Sequence, residues 1–318
     1  MQIVDFTAAH MEQAPQIARQ NYETERGFTP ALPPLNKLPD LTLFGENGLG
    51  VAAFDGDIML GFLCSISPFP NVFRSTDAVG VFSPMGANGA ISKNHEKIYA
   101  HLYQAAGAKW ARAGASSHAI CLYAHDTEAR TQFFRYGFGM RCIDAIHGAD
   151  EISTPFCTGF DFTELAPDEF LQVLPLDQKL DSHMAASPTF ISRPSNTESS
   201  LMNNAVQNSH RYFVARTDSA VIAFLRADRM GETFVCENPE YMHITGAFCL
   251  PEYRGEGIQQ NLLNHMIRTL KSEGYTRLGV DFESINPTAY GFWLKYFDAY
   301  TYGVVRRIDE YAILRTHP

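Results

Sequence analysis

The most informative segment of the chain is HITGAFCLPEYRGEGIQ, residues 243–259. A strand pattern runs into Pro251, a short loop with Gly255 and Gly257 follows, and a helical pattern begins directly afterwards. The first turn of a helix leaves about four backbone N–H groups unpaired and carries a partial positive charge. Glycine lets this backbone approach an anion closely, and Arg254 adds a forked donor. This order of strand, proline, Arg-Gly-X-Gly and helix predicts a pyrophosphate-binding site.

The same segment lacks the spacing of two other phosphate-binding motifs. A P-loop requires GxxxxGK[ST], and a Rossmann site requires GxGxxG with an acidic residue about 20 positions further on. Neither pattern occurs around residues 243–259. A glycine-rich turn with a solvated Arg254 is the structural alternative to an anion site.

The loop resembles the acetyl-CoA loop of the GNAT superfamily of N-acetyltransferases, whose pattern is Arg/Gln-x-x-Gly-x-Gly/Ala. Arg254 and Gly257 stand at the first and fourth positions, whereas Gln259 departs from the pattern at the sixth. Further on, residues 286–293, NPTAYGFW, resemble the Asn-x-x-Ala-x-x-Phe-Tyr motif of the family, with Trp293 in place of the tyrosine. The resemblance covers the whole second half of the chain.

The two halves of the chain also share the same order of predicted elements. Residues 50–63 and 211–225 each have the pattern of a β-hairpin, and each is followed by a strand, a glycine-bearing loop and an amphipathic helix. Asp126 and Asn286 occupy equivalent places in the two halves, 160 positions apart. We interpret this as a tandem duplication; the alternative is that two mixed α/β segments share a coarse pattern.

The resemblance implies an α/β (α+β) fold of two tandem GNAT-like domains, each a mixed, mostly antiparallel sheet flanked by helices. We place these domains at residues 1–163 and 164–318, with the boundary near 164–175. In the first half the loop at residues 84–90, PMGANGA, has no Arg or Gln at its head, and Asp126 replaces the Asn of the second motif. We therefore interpret the first half as a degenerate copy with a structural role and the second half as the acetyl-CoA-binding domain.

The resemblance implies that acetyl-CoA is bound as a co-substrate by the loop and its flanking elements. The backbone of the strand before the loop would pair with the pantetheine arm, and Asn286 would contact that arm as well as cap a helix. The cofactor-binding residues that the resemblance implies are Ala247, Phe248, Cys249, Arg254, Gly255, Glu256, Gly257, Ile258, Gln259, Gln260, Asn286 and Trp293.

The strand pattern at residues 278–283, LGVDFE, places two carboxylates on one face. Side chains alternate along a strand, so Asp281 and Glu283 point the same way, about 6.6 Å apart. Repulsion and burial raise a carboxyl pKa towards neutrality, where the group can serve as a general base. By resemblance, Asp281 occupies the place where one branch of the family has a glutamate base. Glu283 is the second candidate and His243 a third; a strand end at the solvent edge is the structural alternative.

Trp293 occupies the place where the family usually has a tyrosine that protonates the leaving thiolate. An indole N–H donates a hydrogen bond but does not transfer a proton at ordinary pH. Tyr290, Tyr296 or a water molecule are the alternatives, and a thiol pKa of about 8.5 makes thiolate a fair leaving group without an acid. Simple packing of Trp293 against the core is the structural alternative.

The composition narrows the class of protein. The 318 residues carry a formal net charge of −10, which disfavours binding to the phosphates of nucleic acid. No apolar run reaches the ~18 residues of a membrane helix, and the N-terminus lacks a secretory signal pattern. The six cysteines are far apart and form no CxxC, so we expect reduced thiols, no metal site and a cytoplasmic protein.

The resemblance therefore implies an N-acetyltransferase in which an amine attacks acetyl-CoA directly, without an acyl-enzyme. The acceptor is expected to be a small-molecule or peptide amine bound near residues 180–200 and 27–40, with no nucleic-acid or membrane partner. The sequence specifies neither the acceptor nor the oligomeric state. The alternatives are a catalytically weak or inactive acyl-CoA-binding or regulatory protein, and a small-molecule-binding scaffold without CoA.

Overall fold

In the computed structural model the chain forms two compact units, Met1–Ile143 with Ala299–Pro318 and Asp144–Asp298. The structure describes residues 1–37, 40–72, 78–155, 157–218, 220–309, 311 and 313. Two residues of the expected acceptor region at 27–40, Leu38 and Pro39, lie outside these ranges. Within the described ranges, no helix is long and apolar enough to cross a membrane.

Both units contain strands and helices. The strands are β1 (Gln2–Asp5), β2 (Val51–Asp55), β3 (Ile58–Leu63), β4 (Phe69–Pro70), β5 (Val79–Ser83), β6 (Asn88–Ala90), β7 (Ser117–Tyr123), β8 (Gly139–Gly148), β9 (Asp161–Glu164), β10 (Arg211–Arg216), β11 (Val221–Asp228), β12 (Tyr241–Cys249), β13 (Arg277–Glu283) and β14 (Asp298–Arg307). The helices are α1 (Ala14–Phe28), α2 (Thr42–Glu46), α3 (His95–Arg112), α4 (Thr127–Arg135), α5 (Leu174–Ala185), α6 (Glu198–Gln207), α7 (Ile258–Ser272) and α8 (Pro287–Trp293).

The first unit contains two sheets. One has the order β1-β2-β3-β6 with antiparallel pairs, and includes the hairpin predicted at residues 50–63. The other contains β4, β5, β7 and β14, with the start of β8 beside β14. Strands β5 and β7 run parallel, whereas β14 pairs antiparallel to β7 from Thr301 opposite Tyr123 to Arg307 opposite Ser117.

The second unit contains one mixed sheet in which β9, β10, β11, β12 and β13 lie side by side in that order. The pairs from β9 to β12 are antiparallel, and β12 and β13 are parallel. The end of β8 lies beside β13, where the Ala149 N–H donates to the Thr276 oxygen at 2.9 Å. The sheet is therefore mixed and mostly antiparallel, as predicted for this half.

Helix α7 covers one face of this sheet against β10 and β11. Its apolar side chains recur at helical spacing and are fully buried: Leu262, Leu263, Met266, Ile267 and Leu270. Burying such a side chain contributes about 2 kcal/mol. This packing fixes the N-terminal end of α7, where the glycine loop arrives.

The compact units differ from the predicted domain ranges of 1–163 and 164–318 at both ends of the second unit. Residues 144–163 belong to the second unit, where Ile152 and Asn264 exchange two hydrogen bonds of 2.8 Å. Residues 299–307 belong to the first unit because β14 pairs with β7. The limits of the compact units therefore fall inside β8 and at the start of β14, whereas the domain boundary near residues 164–175 stays a prediction.

Helix α8 is shorter than its sequence pattern predicts. The aromatic-rich sequence of residues 288–296 predicts a helix that reaches Tyr296, but the helix ends at Trp293. The next N–H groups bond three residues back, from Lys295 to Phe292 and from Tyr296 to Trp293, so the helix tightens and stops. Tyr296 therefore lies beyond the helix.

Candidate active site

The parallel strands β12 and β13 part halfway along their length. Their pairing extends to Ile244 opposite Val280, whereas β12 continues to Cys249 and β13 to Glu283. On its other side, β12 stays paired with β11 as far as Cys249. One edge of residues 245–249 thus has no strand partner among the described residues, and an extended ligand can pair with such an edge.

A β-bulge at Thr245 accompanies the split. The register of β11 and β12 shifts between Arg226 and Ala227. Arg226 Nη2 donates to the backbone oxygen of Thr245 at 2.7 Å, and Thr245 Oγ1 donates to Asp228 Oδ2 at 2.9 Å. A Cβ on Gly246 would lie 3.2 Å from the Arg226 guanidinium. Because a bulge bends its strand and increases its twist, these contacts direct β12 away from β13.

The loop after β12 leads into the start of α7 through glycines, so the backbone there carries no side-chain cap. Residues Pro251–Tyr253 form one turn of 3-10 helix, and Gly255 and Gly257 both adopt positive φ, +86° and +80°. Gly257 is the N-cap of α7, and no side chain caps the helix. The orphan N–H groups and the partial positive charge of the helix end therefore remain available to an anion.

Arg254 is exposed but held in place. Its Nε donates to the Cys249 oxygen at 3.0 Å, and its guanidinium lies 5.4 Å from the ring centre of Phe248. These contacts hold the guanidinium beside the helix end, and its terminal nitrogens have no acceptor among the described residues. A guanidinium in this position complements a phosphate.

A cavity of about 310 Å³ opens between these elements. All of the cofactor-binding residues implied by the sequence line it, except Glu256 and Gly257. Glu256 is exposed, and Gly257 is buried as the helix N-cap. Six further residues that the sequence did not single out complete the lining: Leu180, His183, Tyr253, Thr288, Ala289 and Phe292.

Asn286 both caps α8 and lines the cavity. Its Oδ1 accepts from the N–H groups of Thr288 and Ala289 at 3.2 and 3.4 Å. His183 Nε2 lies 3.4 Å from the same Oδ1 and 3.2 Å from Thr288 Oγ1. Asn286 is therefore the N-cap of α8 and also lines the cavity, while its contact with a cofactor stays a prediction.

His183 is the titratable side chain among the six cavity residues that the sequence did not single out, apart from the hydroxyl of Tyr253. It lies on α5, 103 positions before Asn286, and a single histidine on a helix gives no motif. The only available signal was its place within residues 180–200, where the acceptor was expected, three residues after the apolar Leu180.

Trp293 is a wall of the cavity and a core residue. It is 4% exposed and packs edge-to-face against Phe292 and Phe297, with ring centres 4.9 and 5.2 Å apart. Such aromatic pairs contribute about 1 kcal/mol beyond burial. Trp293 therefore both packs in the core and lines the cavity.

The base candidates lie on β13 outside the lining of this cavity. Asp281 is the residue after the last β12–β13 pair, so it stands where the strands begin to part. Its Oδ1 lies 2.7 Å from His243 Nε2, and His243 Nδ1 lies 2.7 Å from the Tyr241 hydroxyl. Burial lowers the pKa of His243, but the bonds to Asp281 and Cys236 outweigh it and raise that pKa to about 10. His243 is thus a buried imidazolium paired with Asp281, which makes it a poor base.

Glu232 is a second residue that sequence reasoning missed. Burial among its neighbours, followed by the charges of Asp281, Asp144 and Glu283, raises the pKa of Glu232 to about 7, although the residue keeps an exposed surface. A carboxyl group that titrates near neutrality is suited to general base catalysis. The sequence showed only a polar turn after a strand.

The acid candidates do not reach the cavity. Tyr290 is 45% exposed on α8, and Tyr296 packs against Phe292 with ring centres 5.3 Å apart. Neither tyrosine lines the cavity, and neither does Glu283. The structure therefore brings most of the predicted cofactor-binding residues together at one cavity, whereas the predicted general bases and acids lie outside its lining.

Two observations fit a coenzyme A molecule in this cavity. A Cβ built on Gly255 meets nothing within 4 Å, so the backbone there faces open space. Gln259 lines the cavity, and its buried Oε1 has no donor among the described residues. An amide N–H of a pantetheine arm is a suitable donor for this atom, and a diphosphate suits the helix end.

Comparisons with known proteins point to one family. Residues 179–298 match the model of the acetyltransferase (GNAT) family. No curated protein matches the sequence. The fold is similar to a GCN5-related N-acetyltransferase from Sphaerobacter thermophilus, with a TM-score of 0.58 at 11% identity over 96% of this chain and 95% of that one. It is also similar to a GCN5-related glucosamine N-acetyltransferase region in a fungal multi-domain GH3 beta-N-acetylglucosaminidase, with a TM-score of 0.51 at 14% identity over 96% of this chain and 38% of that one.

These findings confirm the GNAT resemblance and the mixed α/β fold predicted with it. A fold of this kind supports acyl transfer in general. The cofactor-binding residues, the base, the acid and the domain limits stay predictions.

Proposed function

Because residues 179–298 match the GNAT acetyltransferase family, we propose that this protein is an N-acetyltransferase that uses acetyl-CoA as its co-substrate. The acceptor is a small-molecule or peptide amine, which attacks the thioester directly. The observation that carries this proposal is the single cavity that unites the parted edge of β12, the uncapped end of α7 and Asn286.

Each part of the cavity has a distinct task in binding. The N–H groups at the start of α7 and the Arg254 guanidinium hold the diphosphate, since both direct positive charge to one place. The free edge of residues 247–249 pairs with the pantetheine arm, and Asn286 contacts that arm from α8. Bound acetyl-CoA supplies an activated acetyl thioester.

A cysteine acyl-enzyme is disfavoured by the environment of Cys249. This thiol lines the cavity, but burial raises its pKa to about 11. The thiolate is the nucleophilic form, so only a very small fraction of Cys249 is reactive near neutral pH. The residue is therefore a wall of the site, and the amine itself is the nucleophile.

Deprotonation of the amine is assigned to the carboxylates where β12 and β13 part. Asp281 and Glu283 both lie within electrostatic reach of Glu232. We propose that Glu232, the group that titrates near neutrality, receives the proton, and that Asp281 orients the incoming amine. Asp281 and Glu283 remain the alternative bases, as predicted from the sequence. Removal of a positioned base lowers the rate by about 10²–10⁴.

The departing thiolate does not require a dedicated acid. A thiol pKa of about 8.5 makes it a fair leaving group near neutrality. Among the described residues, Tyr253 is the one tyrosine that lines the cavity. Tyr290 and Tyr296, the acids considered from the sequence, are kept only as proposals because neither lines the cavity.

Calorimetric titration with acetyl-CoA tests the binding site. We expect wild-type protein to bind one molecule per chain and Arg254→Glu to lose detectable binding, because the variant places an anion beside the diphosphate. Arg268→Glu is the matched control: it makes the same charge change on the exposed face of α7, where Arg268 pairs with Glu151. Unchanged affinity in Arg254→Glu contradicts the proposal.

An acyl-CoA-binding or regulatory protein is the second candidate, and the replacement of the usual tyrosine by Trp293 favours it. Release of free thiol in the presence of a panel of amines separates the two. Turnover that depends on an amine supports the transferase, whereas tight binding of acetyl-CoA without thiol release supports the regulatory protein.

A further inference from the structure

The first unit contains a separate cavity of about 210 Å³. It is formed by α1, the residues after β6, the start of α3, the end of β7 and the start of α4. These elements follow each other in the same order as α5, β12, α7, β13 and α8 in the second unit. The cavity is therefore the counterpart, in the degenerate half, of the proposed cofactor site.

The side chains in this cavity differ entirely from a diphosphate site. Glu25 projects from α1 and is only 2% exposed. Its two oxygens accept from His125, one from Nδ1 at 2.8 Å and the other from the backbone N–H at 3.1 Å. Burial raises the pKa of Glu25, against the opposing effect of the His125 hydrogen bonds. A buried carboxylate with a single histidine partner retains the capacity to receive a further cation.

A second histidine–carboxylate pair in the cavity is already neutralised. His95 Nδ1 lies 2.8 Å from the Ile91 oxygen, and His95 Nε2 lies 2.7 Å from Asp126 Oδ2. Both partners are acceptors, so both ring nitrogens must carry hydrogen and the ring is an imidazolium. Burial lowers the pKa of His95, but the bond and the charge of Asp126 outweigh it. Glu25 is the most deeply buried carboxyl group of the cavity, and its partner His125 has a side chain that is 42% exposed.

Tyr123 supplies an independent indication of a ligand. It lines the cavity and is 9% exposed, and its buried hydroxyl has no hydrogen-bond partner among the described residues. A buried hydroxyl without a partner costs about 1–3 kcal/mol. A donor on a bound molecule would remove this cost.

The charge and shape of the cavity select the ligand. None of its described lining residues is a lysine or an arginine, and Glu128 adds a carboxylate at its exposed side, so an anion is repelled. The Phe28 ring stacks on His125 with centres 4.7 Å apart and offers an apolar surface. We propose that this cavity binds a small organic ammonium ion, with Glu25 and Tyr123 as its polar contacts and Phe28 beside its carbon chain.

Titration of the full chain with n-butylammonium chloride, followed by calorimetry and by the histidine ring resonances in NMR, tests this inference. We expect saturable binding, and no binding of sodium butyrate. Glu25→Gln should weaken the affinity at least about tenfold because it removes the charge. Tyr123→Phe should weaken it about fivefold because it removes only one acceptor.

Glu23→Gln is the matched control, since Glu23 lies on the same helix, pairs with Arg26 and does not line the cavity. It should bind n-butylammonium as the wild type does. If Glu25→Gln does not fold, Tyr123→Phe decides the test alone. No saturable binding to the wild type, or binding that neither variant weakens, overturns the inference. The two substitutions also distinguish binding in this cavity from binding at the acceptor site of the second unit, because binding at the acceptor site would survive both of them.

Discussion

Nε2 of His243 lies 2.7 Å from Oδ1 of Asp281, and this contact joins β12 to β13 at the point where the two strands part. His243 is 1% exposed, whereas the side chain of Asp281 is 31% exposed. The pair therefore has one member in the core and one at the opening. It links the two strands and leaves one carboxylate partly exposed where they part.

This ion pair predicts a pH dependence of stability. The pKa of His243 is raised from 6.5 to about 10 in the folded protein, so protonated His243 stabilises the fold fully below pH 6.5. That contribution declines as the pH rises from 6.5 towards 10. Asp281→Asn should lower the free energy of unfolding by about 2 kcal/mol near neutral pH and flatten this decline. Urea unfolding at several pH values measures both effects.

Glu252→Gln serves as the control for that series, because Glu252 is exposed and lies away from His243 in sequence. Its unfolding curve should follow that of the wild type at every pH. An Asp281→Asn protein with the full alkaline decline would show that another partner holds the charge on His243.

The carboxylate group around Glu232 predicts a pH–rate profile. Since the pKa of Glu232 is raised to about 7, kcat/KM should rise with pH and level off above that value. Glu232→Gln should lower kcat/KM about 100-fold and remove the inflection. Retention of the inflection in Glu232→Gln, together with its loss in Asp281→Asn or Glu283→Gln, would assign the base to β13 instead.

The strand, loop and helix of the cofactor site were predictable because their signals are local. The helical spacing of Ile258, Leu262 and Met266 and the glycines before them are read within about twenty residues. The structure places α7 at Ile258–Ser272 with Gly257 as its N-cap. Local periodicity and turn chemistry were therefore enough to predict the strand, loop and helix of the candidate cofactor site.

Other features depend on contacts between distant residues and have no local signal. The split of β12 from β13 follows from a bulge that Arg226 and Asp228 hold from the neighbouring strand. The placement of β14 in the first unit follows from pairing with β7, whose residues lie 178 to 190 positions earlier. A hydrophobic alternation predicts that a segment is a strand, but not which strand it joins.

His183 should position Asn286 in the cofactor cavity. His183→Ala removes the contacts of Nε2 with Asn286 Oδ1 and Thr288 Oγ1, so we expect the KM for acetyl-CoA to rise about tenfold, the effect of losing one to two hydrogen bonds. His183→Gln retains a donor and should recover part of the loss. Steady-state kinetics with acetyl-CoA as the varied substrate measures the change.

Ser182→Ala is the control for His183, since Ser182 is the preceding residue on α5 and its hydroxyl bonds to the Gln178 oxygen. It should leave KM unchanged. If kcat falls in His183→Ala while the KM for acetyl-CoA does not change, His183 takes part in the chemistry rather than in positioning Asn286.

Replacing Gly279 with a larger residue should lower the stability of the protein strongly. A Cβ built at this position would lie 1.5 Å from the Tyr241 hydroxyl oxygen, and both residues are buried in the paired part of β12 and β13. Because Tyr241 also bonds to His243, it cannot move without breaking the chain that ends at Asp281. Gly279→Ala should therefore lower the free energy of unfolding by about 3 kcal/mol, the upper range for overpacking a core.

Gly291→Ala on α8 is the control, because it makes the same chemical change where nothing lies within 4 Å of the new Cβ. Alanine favours a helix by about 1 kcal/mol over glycine, so the stability of this variant should equal or exceed that of the wild type. Urea unfolding of the two variants side by side distinguishes crowding from a general effect of alanine, and equal stability of both would mean that Tyr241 has room to move.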